Sequence, residues 1–145
     1  MAITKLSTAA GAGSTIPTAG RYAAVSGGTT TTYSSGGLTY QVQTFTGSGT
    51  LVVSNSGMVE VLVIGGGGGG AGSGAHPSIG YCGGGGGGGA TYQGTYFLSA
   101  GSCAIIVGAG GSGGLASPGI GAIGNLSGLL LGANVQNVAG IYASG

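Results

Sequence analysis

The sequence predicts an all-β fold: a small β-sandwich with polyglycine-rich, polyproline-II-like segments, assembled as an oligomer. Three observations predict it. Runs of Thr, Tyr, Val, Leu and Ile with alternating polarity recur between Ser, Asn and Gly turn signals, as strands do. Glycine supplies 40 of the 145 residues, against a usual share of about 7%, and is gathered into tracts without a Gly-X-Y period, which excludes a collagen triple helix. Lys5, Arg21 and Glu60 are the only ionised side chains, so with a net charge of +1 a lone monomer has little to keep it dispersed. Hydrophobic residues still make up 41% of the chain, which argues for folding or association over disorder.

At this length a single folded unit is expected, with residues 1–28 as a polar, small-residue arm and residues 29–145 as a glycine-rich β domain. "TTTTYSSGGLTYQVQTF" reads as two strands meeting at a hairpin over Ser34 to Gly37. In its second strand Leu38, Tyr40 and Val42 share one face, and Thr39, Gln41 and Gln43 the other. A short strand at Thr50 to Ser54 follows, closed by an Asn-Ser-Gly turn at residues 55–57. Met58 to Ile64 is apolar on both faces except at Glu60, which predicts a central strand buried on two sides. Glu60 itself either meets Arg21 or Lys5, or sits at the strand's exposed start. "TYFLS" and "CAIIV", joined by Ala100-Gly-Ser102, read as a hairpin with a short loop.

Between the strands lie the tracts Gly65 to Gly70, Gly83 to Gly89 and Gly108 to Gly114. Fixing glycine costs more backbone entropy than fixing any other residue, so an ordered tract must return many backbone hydrogen bonds. Polyglycine in the polyproline-II conformation can do so, packing rod against rod with three residues per turn. Gly65, Gly70, Gly83, Gly86 and Gly89 are the structural positions on this reading; three loops are the alternative.

Several chemistries are excluded. "VEVLVIGGGGGG" resembles a strand entering a dinucleotide loop, but no helix-forming run follows the glycines and no acid occurs after Glu60. A phosphate-binding P-loop needs a lysine, and none follows Lys5. One carboxylate cannot make an acid/base pair, and two cations cannot make a nucleic-acid footprint. His76, Cys82 and Cys103 lack the spacing of a metal site or a catalytic pair; the two cysteines stand either bonded or separate. "GNLSGLLLG" places Gly124, Gly128 and Gly132 at a membrane-contact spacing, but no apolar run is long enough to span. The expectation is a non-enzymatic protein with no metal, cofactor, nucleotide or nucleic acid and no membrane span.

"YQVQTFTGSGTLVV", "VEVLVIGGGGGG", a second long glycine tract and a strand pair ending in "IIVGAGGSGG" together resemble the glycine-rich domain of tail-fibre and other virion proteins of tailed bacteriophages, notably marine and cyanobacterial ones. The match runs from Tyr33 to about Gly114, and "MAITKLS" also looks like the opening of such proteins. The resemblance implies a structural virion component, assembled in the host cytoplasm and displayed on the particle surface. It implies a homo-oligomer, a trimer as phage fibres tend to be, in contact with other tail or capsid proteins. Host attachment through a surface glycan or an outer-membrane protein is the first expectation, with Tyr81, Tyr92 and Tyr96 as candidate contacts because Tyr joins an apolar face to a hydroxyl. Those tyrosines can equally pack as a core rim. A capsid decoration protein that cements the shell is the second expectation, and an ice- or surface-binding polyglycine protein a remote third.

Overall fold

Alternating apolar residues in short β-branched runs must be buried between layers, and the chain does this with strands alone. The computed structural model describes residues 8–10, 22–72, 85–115, 119–130 and 141–145. The strands are β1 (Thr8–Ala10), β2 (Ala24–Ser26), β3 (Thr29–Ser35), β4 (Leu38–Thr44), β5 (Gly49–Asn55), β6 (Gly57–Ile64), β7 (Thr91–Leu98), β8 (Gly101–Ile106), β9 (Ser127–Leu130) and β10 (Ile141–Ala143). They form three sheets, ordered β1-β4-β3, β10-β9-β8-β5-β2 and β6-β7. Every ladder is antiparallel. The protein is all-β, and no helix occurs among the described residues.

The β3–β4 hairpin falls where the sequence places it. Gly36 and Gly37 carry φ of 59° and 76°, the two positive values that a tight primed turn needs, and Ser35 pairs with Leu38 across it. This hairpin and β1 form an outlying sheet in which β3 is exposed throughout. Gln43 ties it to the body. Its fully buried amide receives a hydrogen bond from the Thr30 hydroxyl on Oε1 (2.9 Å) and donates from Nε2 to the Val25 carbonyl (3.5 Å).

Among the described residues one core lies between the other two sheets. Val25, Leu51, Val53, Cys103, Ile105, Leu129, Ile141 and Ala143 line it from the five-stranded sheet, and Val59, Val61, Val63 and Leu98 from β6 and β7. Each fully buried Val, Leu or Ile contributes about 1.5–3 kcal/mol, so this cluster is the main side-chain term holding the body together. Ala23 and Val25, from the stretch read as an arm, are part of it.

Two expectations are corrected. "TYFLS" and "CAIIV" are not a hairpin: β7 pairs with β6, whereas β8 pairs with β5 and β9. The β5–β8 ladder and the β6–β7 ladder form one long ribbon folded over at a corner, where Ser54, Asn55 and Ser56 oppose Ser99 and Ala100. The extra residue is a bulge that bends the ribbon from one sheet into the other. Gly101, at φ 147°, makes the turn, and the Ala100 N–H donates to the Ser56 hydroxyl across the corner (2.8 Å). A hairpin would leave the two strands' apolar rows in one layer; the fold brings Leu98 and Cys103 into one core from different sheets.

β6 is also not a central strand. Its ladder partner is β7, and on its other edge Tyr22 forms a lone parallel bridge to Met58. Only the Gly57–Val59–Val61–Val63 row is buried; Met58, Glu60, Leu62 and Ile64 are half-buried. Gly57 permits the crossing, since a Cβ there would overlap the backbone of Tyr22 and Ala23.

Candidate contact surface

Four segments without strand structure, residues 65–72, 85–90, 107–115 and 119–126, gather beside the sheets. The first is the hub. Gly65 and Gly68 donate their N–H groups to the carbonyls of Ala90 and Gly87 in the second segment (both 2.8 Å). Gly66, Gly69 and Gly72 donate to Asn125, Ala122 and Gly119 in the fourth (2.8–2.9 Å). The carbonyls of Gly67 and Gly70 accept from Gly111 and Gly114 in the third (both 2.8 Å). Ala122 and Asn125 of the fourth segment then donate to Ser112 and Ala109 of the third (both 2.9 Å). Each set repeats every third residue, whereas a strand repeats every second.

The same spacing governs where a side chain is tolerated. A Cβ on Gly66, Gly69 or Gly72 would overlap the carbonyl oxygens of Ala109, Ser112 or Leu115. On Gly86 or Gly89 it would overlap those of Gly68 or Gly65, and on Gly108 or Gly111 those of Asn125 or Ala122. Gly121 and Gly124 meet Gly69 and Gly66 in the same way. These are backbone obstacles, which cannot turn aside as a flexible side chain can. The chain's end joins in: the Ser144 carbonyl accepts from Ala90 N–H (2.9 Å) and would meet a Cβ on Gly65. Two serines pin the entrance to the third segment, Ser48 and Ser127 accepting from the N–H groups of Val107 (3.0 Å) and Gly108 (2.9 Å).

Among the expected glycine positions, Gly65, Gly86 and Gly89 lie at such contacts, and Gly70 accepts the Gly114 bond. Gly83 lies outside the described residues, as do Tyr81, Cys82 and His76. Tyr92 and Tyr96 are brought together on β7, their hydroxyls hydrogen-bonded and their rings tilted 6.4 Å apart. Gly94 between them leaves the space that the Tyr96 ring uses. Tyr96 packs against the core and Tyr92 is 41% exposed, so the pair spans rim and surface. The hydrogen bond from Tyr92, then burial and the nearby Tyr92 charge, push the Tyr96 hydroxyl up to about 12. Glu60 accepts from Gln93 Nε2 (2.8 Å), and Cys103 is buried in the core.

Sequence reasoning missed the most exposed apolar side chains. Leu115, Ile120 and Ile123 are 85–90% exposed, with Leu126 beside them at 49%. Ile120, Ile123 and Leu126 occupy every third position of the fourth segment, between the glycines that face the hub. That spacing is the signal that could have found them, but it belongs neither to a helix nor to a strand. A stacked Tyr33–Tyr40 pair, 4.9 Å between centroids, adds an aromatic plate on the outlying sheet. Among the described residues no three metal-ligating side chains come together, and no helix is long and apolar enough to cross a membrane. Compared with known protein families, with curated proteins and with solved structures, the chain matches none.

Proposed function

We propose that this is a non-enzymatic structural protein of a tailed-phage virion surface, a tail-fibre or adhesin-like component that attaches the particle to its host. In this reading the body is a β-sandwich, the glycine segments are polyproline-II-like rods bundled side by side, and the protein works as a homo-oligomer. The observation that carries it is the glycine bundle with an aliphatic row on its outside. Hydrogen bonds and forbidden Cβ positions that both repeat every third residue fit threefold rods, not loops. Such a bundle spends its backbone on internal contacts and leaves one outward position per turn for display. In the fourth segment those positions hold Ile120, Ile123 and Leu126, about 9 Å apart along a polyproline-II rod. A row of large aliphatic side chains held in water marks a surface meant for a partner, here an outer-membrane protein or the apolar face of a glycan.

Purified protein should bind host cells and compete with virions for adsorption, and Ile120→Ser with Ile123→Ser should remove that binding while leaving the melting temperature unchanged. Virions imaged by cryo-electron microscopy at side-chain resolution should carry this polypeptide at the tail. Density repeated over the icosahedral shell, with binding to empty capsids in place of cells, would replace this reading with the capsid decoration protein.

A further inference from the structure

The second glycine segment is barer than its own chain requires. Gly86 and Gly89 are held to glycine by the carbonyls of Gly68 and Gly65, but a Cβ on Gly85, Gly87 or Gly88 would meet nothing within 4 Å. Backbone conformation does not explain them either, since the positive φ values belong to Gly27, Gly28, Gly36, Gly37 and Gly101. All three are exposed. An unneeded glycine costs backbone entropy with no compensating contact. The other outer segments carry side chains on their open faces: the third turns Ala109, Ser112 and Leu115 to solvent, beside the likewise unobstructed Gly110 and Gly113, and the fourth Ile120, Ile123 and Leu126.

We propose that the bare face of residues 85–88 docks against the same face of a second copy of this chain. The inference rests on reading the glycine segments as packed rods. A glycine rod packs closely only against a surface equally free of side chains, and the chain itself carries that surface. It already pairs such segments antiparallel, the first with the second and the third with the fourth. Two copies related by a two-fold axis would set 85–88 against 85–88 in that same antiparallel sense, so the contact is self-complementary. Among the described residues the first segment bonds to the carbonyls of Gly87 and Ala90 and not to Gly85 or Gly88. No ionised side chain follows Glu60, so nothing on the second segment opposes the approach of an identical one.

The test is sedimentation velocity over a concentration series on the full chain, with thermal melting of each variant. Wild type should pass from one chain to two as concentration rises. Gly88→Val should keep or raise the melting temperature and weaken the pairing at least about tenfold in dissociation constant, as a clash at the centre of a small contact does. Four results overturn the proposal: a wild type that stays monomeric, a Gly88→Val protein that pairs normally, a pairing lost in Ile123→Ser but not in Gly88→Val, or a Gly88→Val protein that melts far below wild type, because the face is then filled within the chain. Gly86→Val isolates the underlying reading: if it melts like wild type, the packed rods fail whatever the association data show.

Discussion

The β body and the glycine bundle solve one problem in opposite ways. In the body, Leu51, Val61 and Leu98 are 0–1% exposed, and stability comes from side-chain atoms removed from water. In the bundle, backbones approach so closely that carbonyls sit where a Cβ would be, and stability comes from hydrogen bonds that only the missing side chains allow. Each bond contributes about 0.5–1.5 kcal/mol net, so the bundle depends on making many of them together. The difference predicts opposite sensitivities: the body is harmed by taking atoms away, the bundle by adding them.

The largest effect is expected at the hub. Gly69→Val would push a branched side chain into the Ser112 carbonyl, against backbone bonded on both sides, and should cost about 4 kcal/mol or more, seen as loss of the cooperative melt. Leu51→Ala comes next, at about 2–5 kcal/mol by denaturant melting, because it opens a cavity in the body's core. A loss of similar size from Gly69→Ala and from Leu51→Gly would sharpen the contrast, and a tolerant Gly69 would break it. The smallest effect is at the rim. Tyr96 has its hydroxyl raised from 10.0 to about 12 in the folded protein, so its contribution is fully present below pH 10 and is lost as pH rises through 12. Tyr92→Phe removes the principal cause, and tyrosinate absorbance should then show Tyr96 ionising nearer 10, with less alkaline loss of stability.

How far the sequence could be read follows the same division. The positions of β3 to β8 and the Ser34 to Gly37 hairpin were legible because alternation and paired glycines are local signals, whereas β1, β2, β9 and β10, only three or four residues long, carry too little alternation to be read. The corner at Ser56 and Ala100 was not, since Asn-Ser-Gly and Ala-Gly-Ser look the same whether a chain reverses within a sheet or crosses to another; only the pairing of β5 with β8 and β6 with β7 decides. Met58 to Ile64 misled for a related reason: its second apolar face is only half-buried, and among the described residues β7 is the one strand laddered to it. In the bundle, the glycine positions were visible but the Ile120, Ile123 and Leu126 row was not, because its three-residue period matches neither template used for helices and strands.

The most direct measurement is residue-resolved amide hydrogen exchange across residues 65–72. Protection is expected at Gly65, Gly66, Gly68, Gly69 and Gly72, whose N–H groups donate into neighbouring segments, and faster exchange at Gly67 and Gly70, which contribute carbonyls. Uniformly fast exchange along the tract, or protection alternating every second residue, would contradict a bundle of threefold glycine rods.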